Sequence, residues 1–263
     1  QRDELQAWQA LLARDYGYDG LQFLEGDALA AHIRSPRYLA GLFDPRGAHV
    51  HPLKYTLGLA AAARAAGVRI HERSRVLRIE RGAAPVLHTA QAVIRCRHVV
   101  LAGNAYLGPL VPELDRKIMP VGTYIVASAP LGAALAEACL PGNAAVTDIN
   151  FVLDYFRLSA DFRMLFRGRV SYSRIPPPNL ARAMRSRMAR VFPQLGDGPV
   201  DYAWGGYVDI SMTRARHVGR LDGNLYFAQG FSGHGMATTG LAGRVIAEAL
   251  AGDATRLDVF GRI

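Results

Sequence analysis

Residues 223–250 read GNLYFAQGFSGHGMATTGLAGRVIAEAL. Leu225-Tyr226-Phe227-Ala228 is a short apolar run of strand formers, and from Thr239 onward Leu241, Val245, Ile246 and Leu250 recur at helical spacing. The spacing predicts a strand, a turn and then a helix. The turn holds Gly230, Phe231, Ser232, Gly233, His234, Gly235 and Met236. Glycine admits positive φ and lets another molecule approach the backbone closely. A helix start offers N–H groups without partners and the positive end of the helix dipole. Together they form a seat for an electron-rich group. A tight reversal of the chain would use the same residues, so both readings stand on this stretch alone.

The remainder of the chain sets limits on that choice. At 263 residues it has room for one large or two smaller domains with a substantial core. Half the residues are hydrophobic and a fifth are charged, as in globular proteins generally. No apolar run reaches the ~20 residues of a membrane span, and no signal-peptide pattern opens the sequence. Cys96 and Cys139 are too few for a disulfide framework and lack metal-ligand spacing, which fits a reducing cytoplasm. The net charge of +9 comes from scattered arginines. The densest group, Arg182, Arg185, Arg187 and Arg190, lies on one predicted helix and reads as a solvated basic face, without a nucleic-acid-binding motif.

Along the chain, residues 3–14 and EGDALAAHI read as helices, Asp44-Pro45-Arg46-Gly47 as a turn, and PLKYTLGLAAAARAAG as a helix opened by Pro52 and stopped by Gly67. VRIHERSRVLRIER alternates as a strand does, and AVIRCRHVVLAGNAYLG predicts strand again. In the second of these, VVLAGN is a buried strand that leaves through Gly103. From about 115 to 220, four aromatic-bearing strands predict a mostly antiparallel sheet, with the basic helix between the third and fourth. Pro176-Pro177-Pro178 is expected to form a rigid turn.

These pieces carry a family resemblance. GFSGHGMATTG (230–240) resembles the C-terminal flavin-contacting motif of the amine-oxidising flavoproteins that include glycine oxidase, sarcosine oxidase and D-amino-acid dehydrogenase. The order HPLKYTLGLAAAARAAGVRIHERSRV, VVLAGNAYL, MPVGTYIVAS, DYFRLSADFRMLFRG, FPQL, WGGYVDISMTRARHVGRL and GFSGHG is most similar to the γ-glutamylputrescine oxidase branch. Nearly the whole chain is covered. The family's N-terminal glycine-rich FAD fingerprint has no counterpart here, so residue 1 is read as an internal point of a longer protein. The resemblance implies an α/β and α+β fold in which the later part of a Rossmann-like FAD-binding domain, lacking its first βαβ unit, is interleaved with a substrate domain. That second domain has a mixed, mostly antiparallel sheet flanked by helices. Residues 44–108 and 221–263 are expected in the FAD domain, and 1–43 and 109–220 in the substrate domain.

The resemblance also assigns roles. Non-covalent FAD is the expected cofactor, because both cysteines lie far in sequence from the segment to which sarcosine oxidase attaches flavin. Arg75 and the Val76 backbone lie where adenine is expected, and Ala102-Gly103-Asn104 beside ribose and pyrophosphate. The backbone from Gly230 to Met236 is expected against the flavin ring. His234 is open between a flavin contact and a structural cap. Tyr155, Arg157, Trp204 and Tyr207 are candidates for the substrate pocket, with a core aromatic as the other reading of Trp204. Tyr207-Val208-Asp209 occupies the place where glycine oxidase carries an arginine for the substrate carboxylate. An amine is therefore expected as substrate, with oxygen or an electron carrier as acceptor and no nucleic-acid partner. Asp209 is open between attracting a protonated amine and a surface or turn aspartate. An amino-acid oxidase or dehydrogenase of the same family, or a silent folded fragment, is the alternative.

Overall fold

The computed structural model describes residues 2–150, 153–172 and 178–260. In chain order, α1 (Arg2–Tyr16), β1 (Gln22–Glu25), α2 (Gly26–Ala30) and β2 (Ala40–Phe43) come first. They are followed by α3 (Pro52–Ala65), β3 (Val76–Glu80), β4 (Val86–Thr89), β5 (Val93–Arg95) and β6 (Val99–Leu101). The middle of the chain contains α4 (Pro112–Asp115), β7 (Ile118–Ser128), α5 (Gly132–Cys139), β8 (Val146–Thr147), β9 (Tyr155–Leu158) and β10 (Met164–Ser171). Last come α6 (Leu180–Val191), β11 (Val200–Ser211), β12 (His217–Leu221), β13 (Leu225–Gln229), α7 (Gly235–Leu250) and α8 (Thr255–Phe260).

The chain forms two compact units, each made of two separated segments: Gln1–Val50 with Thr123–Gly206, and His51–Gly122 with Tyr207–Ile263. The first unit is built on the sheet order β11-β7-β10-β9-β8, in which β9 runs antiparallel to both β8 and β10. Alternation along β9 turns Phe156 and Leu158 into the core and leaves Tyr155 and Arg157 on the opposite face. Phe156 stacks on Phe166 at 5.6 Å and meets Phe192 edge-on at 5.0 Å. Met184, Met188 and Val191 of α6 close this core at helical spacing.

The second unit holds two three-stranded sheets, β12-β13-β6 and the antiparallel β3-β4-β5. Within the first of these, β12 and β13 are antiparallel, whereas β13 and β6 run parallel, pairing Leu225 with Val99 and Phe227 with Leu101. Val218, Tyr226, Val245 and Ile246 form one apolar cluster beside them, and Val99, Leu101, Leu225 and Phe227 another. Pro52 stands in the first turn of α3, where its missing N–H costs nothing, and Gly67 takes φ +88° just past the end. α3 buries none of its residues, so Leu53, Leu57 and Leu59 remain exposed.

Several sequence expectations are corrected. α7 begins at Gly235, inside the glycine turn and ahead of the apolar stripe that marks the helix in the sequence. The alternating stretch 68–81 is strand only over Val76–Glu80; Arg73 takes φ +54° in a turn and breaks the extended run. AVIRCRHVVLAGNAYLG divides into β5, β6 and a 3-10 turn over Asn104–Tyr106. The basic face of α6 is not wholly solvated: Arg187 reaches the buried carboxylate of Asp154 at 2.5 Å. Trp204 is 45% exposed and therefore no core aromatic. Of the proline turn, Pro176 and Pro177 lie outside the described residues. Among the described residues no helix is long and apolar enough to cross a membrane.

Candidate functional site

Because β6 and β13 are parallel neighbours, their carboxyl ends open on the same side of the second unit. In such sheets ligands bind outside the carboxyl ends of the strands. Here β6 leaves through Ala102-Gly103-Asn104 and β13 through Gly230 and Phe231. A cavity of about 470 Å³ opens at this point. Its lining includes Ala102, Asn104, Asp209, Phe231, Gly233, Gly235 and Met236, all singled out from sequence.

The turn that shapes the cavity is fixed from β11. Asp209 is 1% exposed, and its carboxylate accepts the backbone N–H of Gly230 and, at 3.2 Å, that of Phe231. Its own carbonyl accepts the N–H of Ser232 at 3.0 Å. The side chain of Asn104 bonds the same carboxylate, so one buried group ties together the ends of β6, β11 and β13. Burial pushes the Asp209 carboxyl above the usual carboxylate range, and these hydrogen bonds oppose that shift. Asp209 is thus no surface aspartate. The sequence reading missed its role, and the available signal was an acidic residue at the end of an apolar strand.

The turn itself demands unusual backbone. Gly230 takes φ +71°, and a Cβ there would stand 2.9 Å from the Cβ of Ser211. Ser232 and Gly233 also hold positive φ, at +50° and +92°. Gly235 differs: as the first residue of α7 it has helical backbone, and an added Cβ would meet its neighbours only at 3.8 Å. Gly235, Thr239 and Gly243 recur every fourth residue and line the cavity together, a face of small side chains legible in GMATTGLAGRV.

His234 occupies the N-cap position of α7, yet its imidazole accepts no hydrogen bond from the first turn, which removes the structural-cap reading. Its ring is exposed and does not line the cavity. Tyr207 donates its backbone N–H to the hydroxyl of Tyr106 at 3.1 Å, with the two rings edge to face at 5.9 Å. Arg75 and Val76 lie at the start of β3, in the other sheet, and neither lines the cavity. In the first unit, Tyr155 packs its ring against the Arg167 guanidinium at 4.3 Å. Arg157 donates to His49 Nδ1 at 3.3 Å and to the carbonyls of Val50 at 3.2 Å and Leu158 at 3.3 Å. Burial holds the Arg157 guanidinium below the usual arginine range. The described residues contain no cluster of three or more side chains suited to a metal ion.

The chain is 41% identical over 249 residues to the gamma-glutamylputrescine oxidoreductase of Escherichia coli K12, covering 94% of this chain and 58% of that protein. It therefore spans about three fifths of that relative's length. Its fold matches the L-proline dehydrogenase of P. horikoshii with a TM-score of 0.80 at 18% identity, over 98% of this chain and 71% of the other. It also matches the glycine oxidase of Bacillus cereus ATCC 14579 with a TM-score of 0.78 at 19% identity, over 97% and 73%. Residues 1–249 fit the model of the FAD dependent oxidoreductase family, DAO, and the chain belongs to that family.

Proposed function

We propose that the natural-length protein is an FAD-dependent oxidoreductase that converts the C–N bond of an amine of the γ-glutamylputrescine kind to an imine, which water then hydrolyses. The observation that carries this reading is the cavity at the carboxyl ends of β6 and β13, facing the uncapped start of α7. Its small-residue wall and the absence of a side-chain cap suit a flat, electron-rich ring. FAD, when bound, accepts the hydride from the amine carbon. The backbone N–H groups at Gly235 and Met236 would hydrogen-bond the electron-rich edge of the ring, in the manner of an oxyanion hole. Ala102, Gly103 and Asn104 would flank the ribose and pyrophosphate, with Arg75 and Val76 at the adenine end. Tyr155, Arg157, Tyr207 and His234 are assigned to the substrate, and oxygen or an electron carrier takes the electrons onward.

Two observations support an amine over an α-amino acid and a non-covalent cofactor. Tyr207-Val208-Asp209 presents no cation, and its one carboxylate is buried against backbone N–H groups. Cys139 is buried with its thiol pushed up to about 11, and Cys96 directs its thiol to the Pro85 carbonyl. The test is a panel assay of the purified natural-length protein with γ-glutamylputrescine, putrescine, glycine, sarcosine and D-alanine. The expected result is fastest turnover of γ-glutamylputrescine, with all flavin released by acid precipitation. Faster turnover of the amino acids, or flavin retained in the washed pellet, would contradict the corresponding part.

A further inference from the structure

Tyr155 pairs with Arg167, and Arg157 with Leu165, across β9 and β10. Residues directly opposite in an antiparallel pair share a face. Tyr155, Arg157, Leu165 and Arg167 therefore stand together on the face turned away from the Phe156 and Phe166 core. The two arginines are diagonal neighbours, about 7–8 Å apart by strand geometry. Among the described residues neither has a carboxylate within 4.0 Å. Like charges placed this way repel, and a half-buried guanidinium without an anion is costly.

The donors of Arg157 show which side of it is open. Nη1 is used by His49 Nδ1 and the Leu158 carbonyl, and one hydrogen of Nη2 by the Val50 carbonyl. His49 lies with Nε2 3.0 Å from the Asn143 carbonyl, which fixes its proton there and makes Nδ1 the acceptor. Of the five guanidinium N–H groups, Nε–H and one Nη2–H have no acceptor among the described residues. Nε and Nη2 share the edge that meets a carboxylate side-on. Three neutral acceptors thus hold the arginine in place, and among the described residues no acceptor meets Nε.

We propose that this face of β9 and β10 is a carboxylate-binding site, with Arg157 as the bidentate donor and Arg167, braced on the Tyr155 ring, as the second cation. It would take the acidic end of the amine substrate, remote from the bond that is oxidised; in this it rests on the function proposed above.

The test is titration calorimetry on the natural-length protein as purified. The probes are γ-glutamyl-butylamide, which keeps the glutamyl carboxylate but has no terminal amine to oxidise, and its methyl ester. The acid is expected to bind at least about tenfold more tightly than the ester, as for hydrogen bonds to charged groups. Arg157→Gln should abolish that difference, and Arg157→Lys should retain part of it. Arg167→Gln, whose guanidinium lies over the Tyr155 ring, should reduce the difference without loosening Val50 or His49. The proposal is overturned if acid and ester bind alike, if the acid does not bind, or if the difference survives in Arg157→Gln. Equal weakening of acid and ester in both glutamine variants would mean a structural role and would also overturn it. Discrimination as described without any turnover of γ-glutamylputrescine would support this site and contradict the function proposed above.

Discussion

Asp209 and Gly230, twenty-one positions apart, are joined by a buried hydrogen bond from the glycine N–H to the carboxylate, and the second carboxylate oxygen accepts from Phe231. A carboxylate supplies two acceptor atoms, whereas an asparagine amide supplies one. In Asp209→Asn one N–H of the turn therefore faces an NH₂ group. The expected loss is about 1–3 kcal/mol of folding stability, the cost of an unsatisfied buried donor. Chemical denaturation of the variant checks this, and a midpoint equal to wild type would show that the turn holds itself.

His217 contributes to the pH response of the same unit. Gln229 lies with Nε2 3.2 Å from His217 Nδ1 and donates to the Leu114 carbonyl at 3.0 Å. Burial chiefly, with Lys117 adding to it, holds the imidazole below its ordinary value of 6.5. The folded state thus favours neutral His217 more than the unfolded chain does. This contribution is fully present above pH 6.5 and is lost as pH falls through the folded value. Stability should drop on acidification from pH 7.5 to 5, and His217→Asn should flatten that part of the profile. An unchanged slope in the variant would assign the acid sensitivity elsewhere.

In the first unit, Asp154 is fully buried, with Arg187 at 2.5 Å and Arg37 at 3.9 Å. Removing the nearer cation leaves a desolvated carboxylate with only a distant partner. Arg187→Met is expected to cost about 3–5 kcal/mol, as for breaking a buried ion pair from one side. Urea denaturation reads it, and a loss below ~1 kcal/mol, the range of a surface pair, would mean that water reaches Asp154.

Regular elements were legible where local rules acted alone. Pro52 and Gly67 bracket α3, and the alternation of Phe156 and Leu158 with Tyr155 and Arg157 assigns the faces of β9. α7 starts at Gly235, within the glycine turn and ahead of the apolar stripe, because helical hydrogen bonding needs no such stripe. Long-range polar contacts left no local trace. Nothing near Arg187 in sequence announces Asp154, thirty-three residues earlier, and nothing near Asp209 announces Gly230. Those contacts depend on which strands become neighbours. The glycine turn was visible as a seat, but the carboxylate that shapes it was not.

If the start of α7 lies against FAD as proposed, a substitution at Gly235 reports it. Its backbone is helical and an added methyl would meet Phe231 and Thr239 at 3.8 Å, an ordinary contact, so Gly235→Ala should fold normally. Gly230→Ala, with φ +71° and a 2.9 Å approach to Ser211, should instead fail in folding itself and serves as the contrast. The measurement is the FAD dissociation constant of natural-length Gly235→Ala by flavin fluorescence, beside its thermal midpoint without FAD. An unchanged midpoint and FAD binding weaker by about 1–3 kcal/mol, the cost of overpacking a close contact, are expected. A normal midpoint together with wild-type FAD affinity would contradict it.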